Sequence, residues 1–142
     1  GEGYFDANWG SEPLEAGFRR WDWSRGSTGE SATILYDATR VDGSEQLLGL
    51  RFSAGGIEEF APPPRQRIGR GFWGVEMFTR CDAVERPCLV RALEDGPFYT
   101  RSLVETAIAG ERIAMMHESY SGQRYSSPLV KLMLPVRMPR RA

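Results

Sequence analysis

The sequence predicts an all-β fold, an antiparallel meander that curls into a barrel or a sandwich. Three observations predict it. Short segments alternate between polar and apolar residues, close Gly- and Pro-containing turns separate them, and aromatic residues make up 11% of the chain. The 142 residues amount to one domain, long enough to enclose a core. A closed meander of this kind has an interior that can take an apolar ligand.

Each element follows from its local pattern. Phe18 to Arg25 (FRRWDWSR) alternates as a first strand, with Trp21 and Trp23 on one face, and Gly26-Ser27-Thr28-Gly29 has the composition of a turn. Ser31 to Arg40 (SATILYDATR) is a second strand, with Thr33, Leu35, Asp37 and Thr39 on one face and Ile34 and Tyr36 on the other. Val41 to Ser44 is a turn and Gln46 to Ala54 a third strand. Gly55 to Gly71 is expected to be loop, because Pro62-Pro63-Pro64 cannot donate to a ladder. Phe72 to Arg80, Cys88 to Glu94, Phe98 to Ile108 and Glu111 to Tyr120 are four further strands. A short C-terminal helix is expected over Ser127 to Leu134, with Pro128 at its first position and Pro135 ending it.

Composition removes several function classes. The formal net charge of −1 gives no general attraction to nucleic acid. No apolar run approaches the ~20 residues of a membrane-spanning helix, and no leader pattern of charge, apolar run and cleavage site occurs, so a cytoplasmic location is expected. Cys81 and Cys88 are expected to be free thiols. With His117 as the one histidine, a four-ligand zinc site lacks its fourth ligand, so no metal is expected. Lys131 is the one lysine. The chain begins with Gly1 inside a patterned segment, as a piece of a longer protein would.

Common catalytic signatures are missing: there is no P-loop, HExxH, GxSxG or paired CxxC. What remains is a set of acids among aromatics: Asp6, Asp22, Asp37, Glu94, Asp95, Glu105 and Glu118. Asp37 interrupts an apolar or neutral strand and has two readings. On an interior face it is a proton donor favoured by desolvation. If Trp23 sits opposite Thr33, however, Arg19 meets Asp37 and the acid is a cross-strand ion pair. Trp21 and Trp23 are either core or a π-rich wall that stabilises a cation. His117 shares a strand face with Met115 and Ile113 and reads as a hydrogen-bonded core residue before a catalyst, while Glu118 faces the other way. The closing LVKLMLPVRMPRRA either rests on a membrane surface or packs its apolar residues on the barrel.

Taken in order, YFDANWG, RWDWSRG, ILYD, LEDGPFYTRS, MHESYS and LMLPVRMPR resemble the carotenoid 1,2-hydratases, also called hydroxyneurosporene synthases, over essentially the whole chain. Members of that family are about twice as long, so the chain resembles their C-terminal part, a single lipocalin-like domain over residues 1–142. The resemblance implies cofactor-free, acid-catalysed addition of water to the terminal double bond of an acyclic carotenoid such as neurosporene or lycopene. It implies Asp37 as proton donor, Tyr36, Trp21 and Trp23 as the aromatic setting, and Asp6, Asn8, Trp9 and His117 at the substrate. Where relatives carry a histidine beside this segment, the chain has Ala7. Implied partners are the carotenoid, a peripheral membrane contact and an N-terminal domain of the same protein, and no nucleic acid. The second reading is a lipocalin-like barrel that binds an isoprenoid or other lipid without transforming it.

Overall fold

A computed structural model describes residues 11–134. Nine strands make up most of it: β1 Phe18–Thr28, β2 Ser31–Arg40, β3 Glu45–Ser53, β4 Gly56–Phe60, β5 Arg65–Arg70, β6 Glu76–Arg80, β7 Cys88–Asp95, β8 Tyr99–Ile108 and β9 Glu111–Ser121. Three short helices accompany them: α1 Leu14–Gly17, α2 Gly122–Tyr125 and α3 Pro128–Met133. The all-β expectation holds. The short C-terminal helix is present as α3, with Pro128 in its first turn.

Seven strands form one antiparallel sheet in the order β4-β3-β2-β1-β9-β8-β7, and β5 and β6 form a separate hairpin. The expected barrel is not closed: β4 and β7 lie at opposite edges of the sheet, and no ladder joins them among the described residues. The hairpin instead covers one face. Its β6 strand crosses β2, β1, β9 and β8, bonding Arg80 to Asp37, Thr79 to Ser24, Ser102 to Met77 and Thr106 to the Arg80 carbonyl.

Two local expectations are corrected. Gly26 to Thr28 continue β1 instead of turning, because Gly26 is needed for close approach: a Cβ there would lie 2.6 Å from the Ala114 carbonyl oxygen. The turn falls at Gly29, whose φ of 53° suits glycine. The stretch from Gly55 to Gly71 is not all loop. Ala61 and the three prolines stay outside any strand, as do the end glycines, while β4 and β5 form on either side of the proline run.

Strand alternation sorts the sheet into two faces. Under the hairpin, Leu35, Val104, Ile108, Ile113 and Met115 form the buried apolar cluster, with Phe60 and Ile68 packed against it. Each such side chain contributes about 1.5–3 kcal/mol by leaving water. Beside this apolar half the same face turns polar, with Asp22, Ser24, Ser102, His117 and Ser119 buried there and Thr79 of β6 buried against them. The opposite face carries Trp21, Trp23, Tyr36, Tyr99 and Tyr120.

Candidate functional site

The polar half of the covered face is the chemically distinctive region. Across three neighbouring strands, Asp37, Asp22 and Ser119 stand in one row and Leu35, Ser24 and His117 in the next. Buried polar side chains need partners, and here they find one another. Ser119 donates its hydroxyl to Asp22 Oδ1 at 2.6 Å, and the His117 Nε2 lies 2.9 Å from the same hydroxyl oxygen. The His117 Nδ1 is 2.7 Å from Ser24 Oγ, which is 3.3 Å from Thr79 Oγ1.

This chain has one consistent direction. Asp22 Oδ1 also accepts the Phe78 backbone N–H at 3.2 Å, and Oδ2 pairs with the Arg20 guanidinium. With donors on both oxygens, Asp22 is a carboxylate and Ser119 must donate to it. Ser119 then accepts from His117 Nε2–H, and Nδ1 accepts from Ser24, which fixes the tautomer of a neutral ring. Burial agrees: it pushes the His117 imidazole down to about 3. His117 Nε2 also approaches Asp22 Oδ1 at 3.8 Å, the separation of an ion pair. We take the ring as neutral, because the Ser119 hydroxyl bonds both groups and a fully buried imidazolium would lack hydration.

Asp37 borders this network where it opens toward solvent, its side chain 12% exposed. Arg80 donates to Asp37 Oδ2 from Nε at 3.0 Å and from Nη2 at 2.8 Å. Among the described residues no hydrogen bond reaches Oδ1. Arg65 stands between the two acids, Nη2 3.8 Å from Asp22 Oδ2 and Nε 3.7 Å from Asp37 Oδ2. The Phe78 ring lies between two of the cations, 4.1 Å from the Arg65 guanidinium carbon and 4.7 Å from that of Arg20.

On the other face an aromatic layer runs over the sheet. Trp21 stacks on Tyr120 at 5.6 Å and meets Tyr99 edge-on at 6.2 Å, and Phe98 reaches Tyr125 of α2 at 4.8 Å. Glu118 sits opposite Trp23 in the ladder and is paired with Arg101 at 2.9 Å. Burial pushes Tyr120 up to about 12, and burial with the Glu118 charge raises Tyr99 further.

The family model for the carotenoid hydratase CrtC matches residues 1–142. The chain belongs to the CrtC carotenoid hydratase family. It is 52% identical to the acyclic carotenoid 1,2-hydratase of Thiocapsa roseopersicina over 99% of its length, covering 35% of that protein. It is 46% identical to the acyclic carotenoid 1,2-hydratase of Cereibacter sphaeroides, again over 99% of its length and covering 51% of the relative. The chain thus spans between a third and a half of these curated relatives. No solved structure matches it.

In this CrtC chain the expected constellation is divided between two faces. Asp37 and His117 lie under the hairpin, whereas Tyr36, Trp21 and Trp23 face away from them, so the anticipated aromatic wall does not line Asp37. The register differs from the one considered from the pattern. Trp23 pairs with Tyr36 and Asp22 with Asp37, and the partner of Asp37 is Arg80 from β6 instead of Arg19. His117 shares its buried face with Met115 and Ile113 and has a serine hydroxyl on each ring nitrogen. Asp6, Asn8 and Trp9 lie outside the described residues.

The pattern missed Asp22, Ser24 and Ser119 as partners of His117, and Arg65 and Arg80 as partners of the acids. One signal was present: Asp22 and Ser24 occupy the alternate positions to Trp21 and Trp23, which obliges them to share a face.

Proposed function

We propose that this protein is the C-terminal part of an enzyme that adds water to the terminal double bond of an acyclic carotenoid, of the neurosporene or lycopene type, without a cofactor. Membership of the CrtC family over the whole chain carries the proposal. The finer reading of the fold is a lipocalin-like barrel left open and filled by the β5–β6 hairpin.

In the chemistry, a carboxylic acid protonates the alkene, a tertiary carbocation forms, and water attacks it and releases a proton. Asp37 is the proposed donor. Arg80 grips Oδ2 and leaves Oδ1 to carry the proton. After transfer, the new carboxylate lies beside the cation and stabilises it. The water's proton then restores the acid, so nothing is consumed but alkene and water. Leu129 and Leu132, both exposed on α3 beside Lys131, support a peripheral contact with the membrane that dissolves such a substrate.

The test is incubation with lycopene or neurosporene in detergent or vesicles, followed by chromatography and mass spectrometry. A product heavier by one water, lost in the Asp37→Asn variant while the fold survives, is the expected result. Pigment that co-purifies unchanged would instead favour the lipid-binding reading. Retained conversion by Asp37→Asn would remove Asp37 as donor.

A further inference from the structure

We propose that Asp22 is a positioning residue for the Asp37 site, drawing on Arg65 so that this guanidinium never closes on Asp37. The proposal rests on the hydratase reading and adds to it a residue that reading does not use.

The two acids are direct neighbours, Asp22 on β1 opposite Asp37 on β2. Like charges directly opposite each other destabilise a ladder, so a cation between them is expected, and Arg65 provides it. Its geometry is unusual. A guanidinium beside a single carboxylate closes to about 2.8 Å, as Arg80 does on Asp37. Arg65 closes on neither acid, and its buried Nε and Nη2 have no hydrogen-bond partner among the described residues. Leaving such atoms unbonded is costly, and two comparable pulls from opposite sides account for it. The Phe78 ring under the guanidinium steadies it there.

For this balance to persist, Asp22 must remain an anion, and its surroundings ensure that. Ser119, the Phe78 N–H and Arg20 all direct donors at it, and neutral His117 turns the Ser119 hydroxyl toward it. The charged groups around the pair come from three strands: Arg20 on β1, Arg65 on β5 and Arg80 on β6. Asp37, Glu76 and Glu45 in turn act on Arg20. His117 on β9 is a further titratable neighbour among the described residues. With Asp22 in place, Asp37 Oδ2 is bonded by one arginine and the Oδ1 side stays open. Without that charge Arg65 is free to swing to Asp37, and a carboxyl gripped by two guanidinium groups surrenders its proton to solvent more readily.

The test compares wild type, Asp22→Asn and Asp22→Asn/Arg65→Met in carotenoid hydration across pH. Asp22→Asn is expected to lower kcat at least about tenfold with KM changing less than about threefold, and to move the alkaline limb of the rate profile down by about one pH unit or more. Adding Arg65→Met is expected to restore most of kcat and return the limb, which a merely structural role for Asp22 would not produce. An unmoved limb in Asp22→Asn, or a double variant no better than the single one, overturns the proposal. If Asp22→Asn does not fold, nitrogen NMR of the wild-type guanidinium groups decides: the Arg65 Nε–H is expected to show no hydrogen-bond coupling to a carboxylate, and a coupling to Asp37 overturns the proposal. That measurement needs no turnover. A wild-type protein that hydrates no carotenoid therefore defeats the hydratase reading and leaves the Asp22 question separately answerable.

Discussion

Arg80 donates two hydrogen bonds to a single oxygen of Asp37, and by doing so fastens β6 to β2. The bond pair joins the hairpin to a sheet with which it shares no ladder. Replacing Arg80 with Met leaves Asp37 mostly buried, with Arg65 as its remaining cation. The expected cost is about 2 kcal/mol, between the values for exposed and fully buried pairs. Urea unfolding measures it, and an unchanged midpoint would mean that the hairpin is held by its other contacts without this pair.

His117 makes stability depend on pH. Burial holds its ring at about 3 in the folded protein, against 6.5 for the ordinary side chain. Between those values the unfolded chain binds a proton that the folded chain refuses, so the contribution is fully present above about pH 6.5 and is lost as pH falls toward 3. The loss is on the order of a few kcal/mol. Unfolding free energies at pH 7 and pH 4 are expected to differ more in wild type than in His117→Gln. Equal differences would show that other groups set the acid limb.

Gly122 opens α2 directly against β1. A Cβ there would lie 2.2 Å from the Phe18 carbonyl oxygen, a backbone atom that cannot swing aside. Gly122→Ala is therefore expected to lower stability by about 1–3 kcal/mol. Gly17→Ala is the control, since a Cβ at that position meets nothing within 4 Å. Thermal melting of the two variants separates them, and equal melting temperatures would contradict the packing of α2 on β1.

Both cysteines are free, Cys81 buried and Cys88 exposed. A chromogenic disulfide reagent is expected to titrate one thiol rapidly in the native protein and the second only on unfolding. Two fast thiols would contradict the burial of Cys81.

Much of the strand layout was legible because alternation and turn residues are local. β2 runs over the expected residues, and β3, β7, β8 and β9 differ at their ends by a residue. The faces were harder. Alternation separates Trp21 and Trp23 from Asp22 and Ser24, but it does not say which set will be covered. The tryptophans are the more apolar pair and so look interior. The hairpin lands on the other side, where Ser24, His117 and Thr79 can satisfy one another. Register was equally hidden, since continuing β1 through Gly26 to Thr28 moves every cross-strand partner of Asp37. Arg65 and Arg80 could not be assigned to the acids from spacing, because no ladder joins their strands to the sheet and fixes their alignment.

The centre of the sheet joins the two ends of the described chain. β1 and β9 are ladder neighbours, and the bond between Ser24 and His117 spans 93 positions of sequence. During synthesis the first four strands can pair among themselves, but β1 keeps a vacant edge until the ninth emerges from the ribosome. Connections this distant make folding slow and leave an adhesive ribbon waiting. A chain interrupted before Glu111 is therefore expected to expose that ribbon and to self-associate.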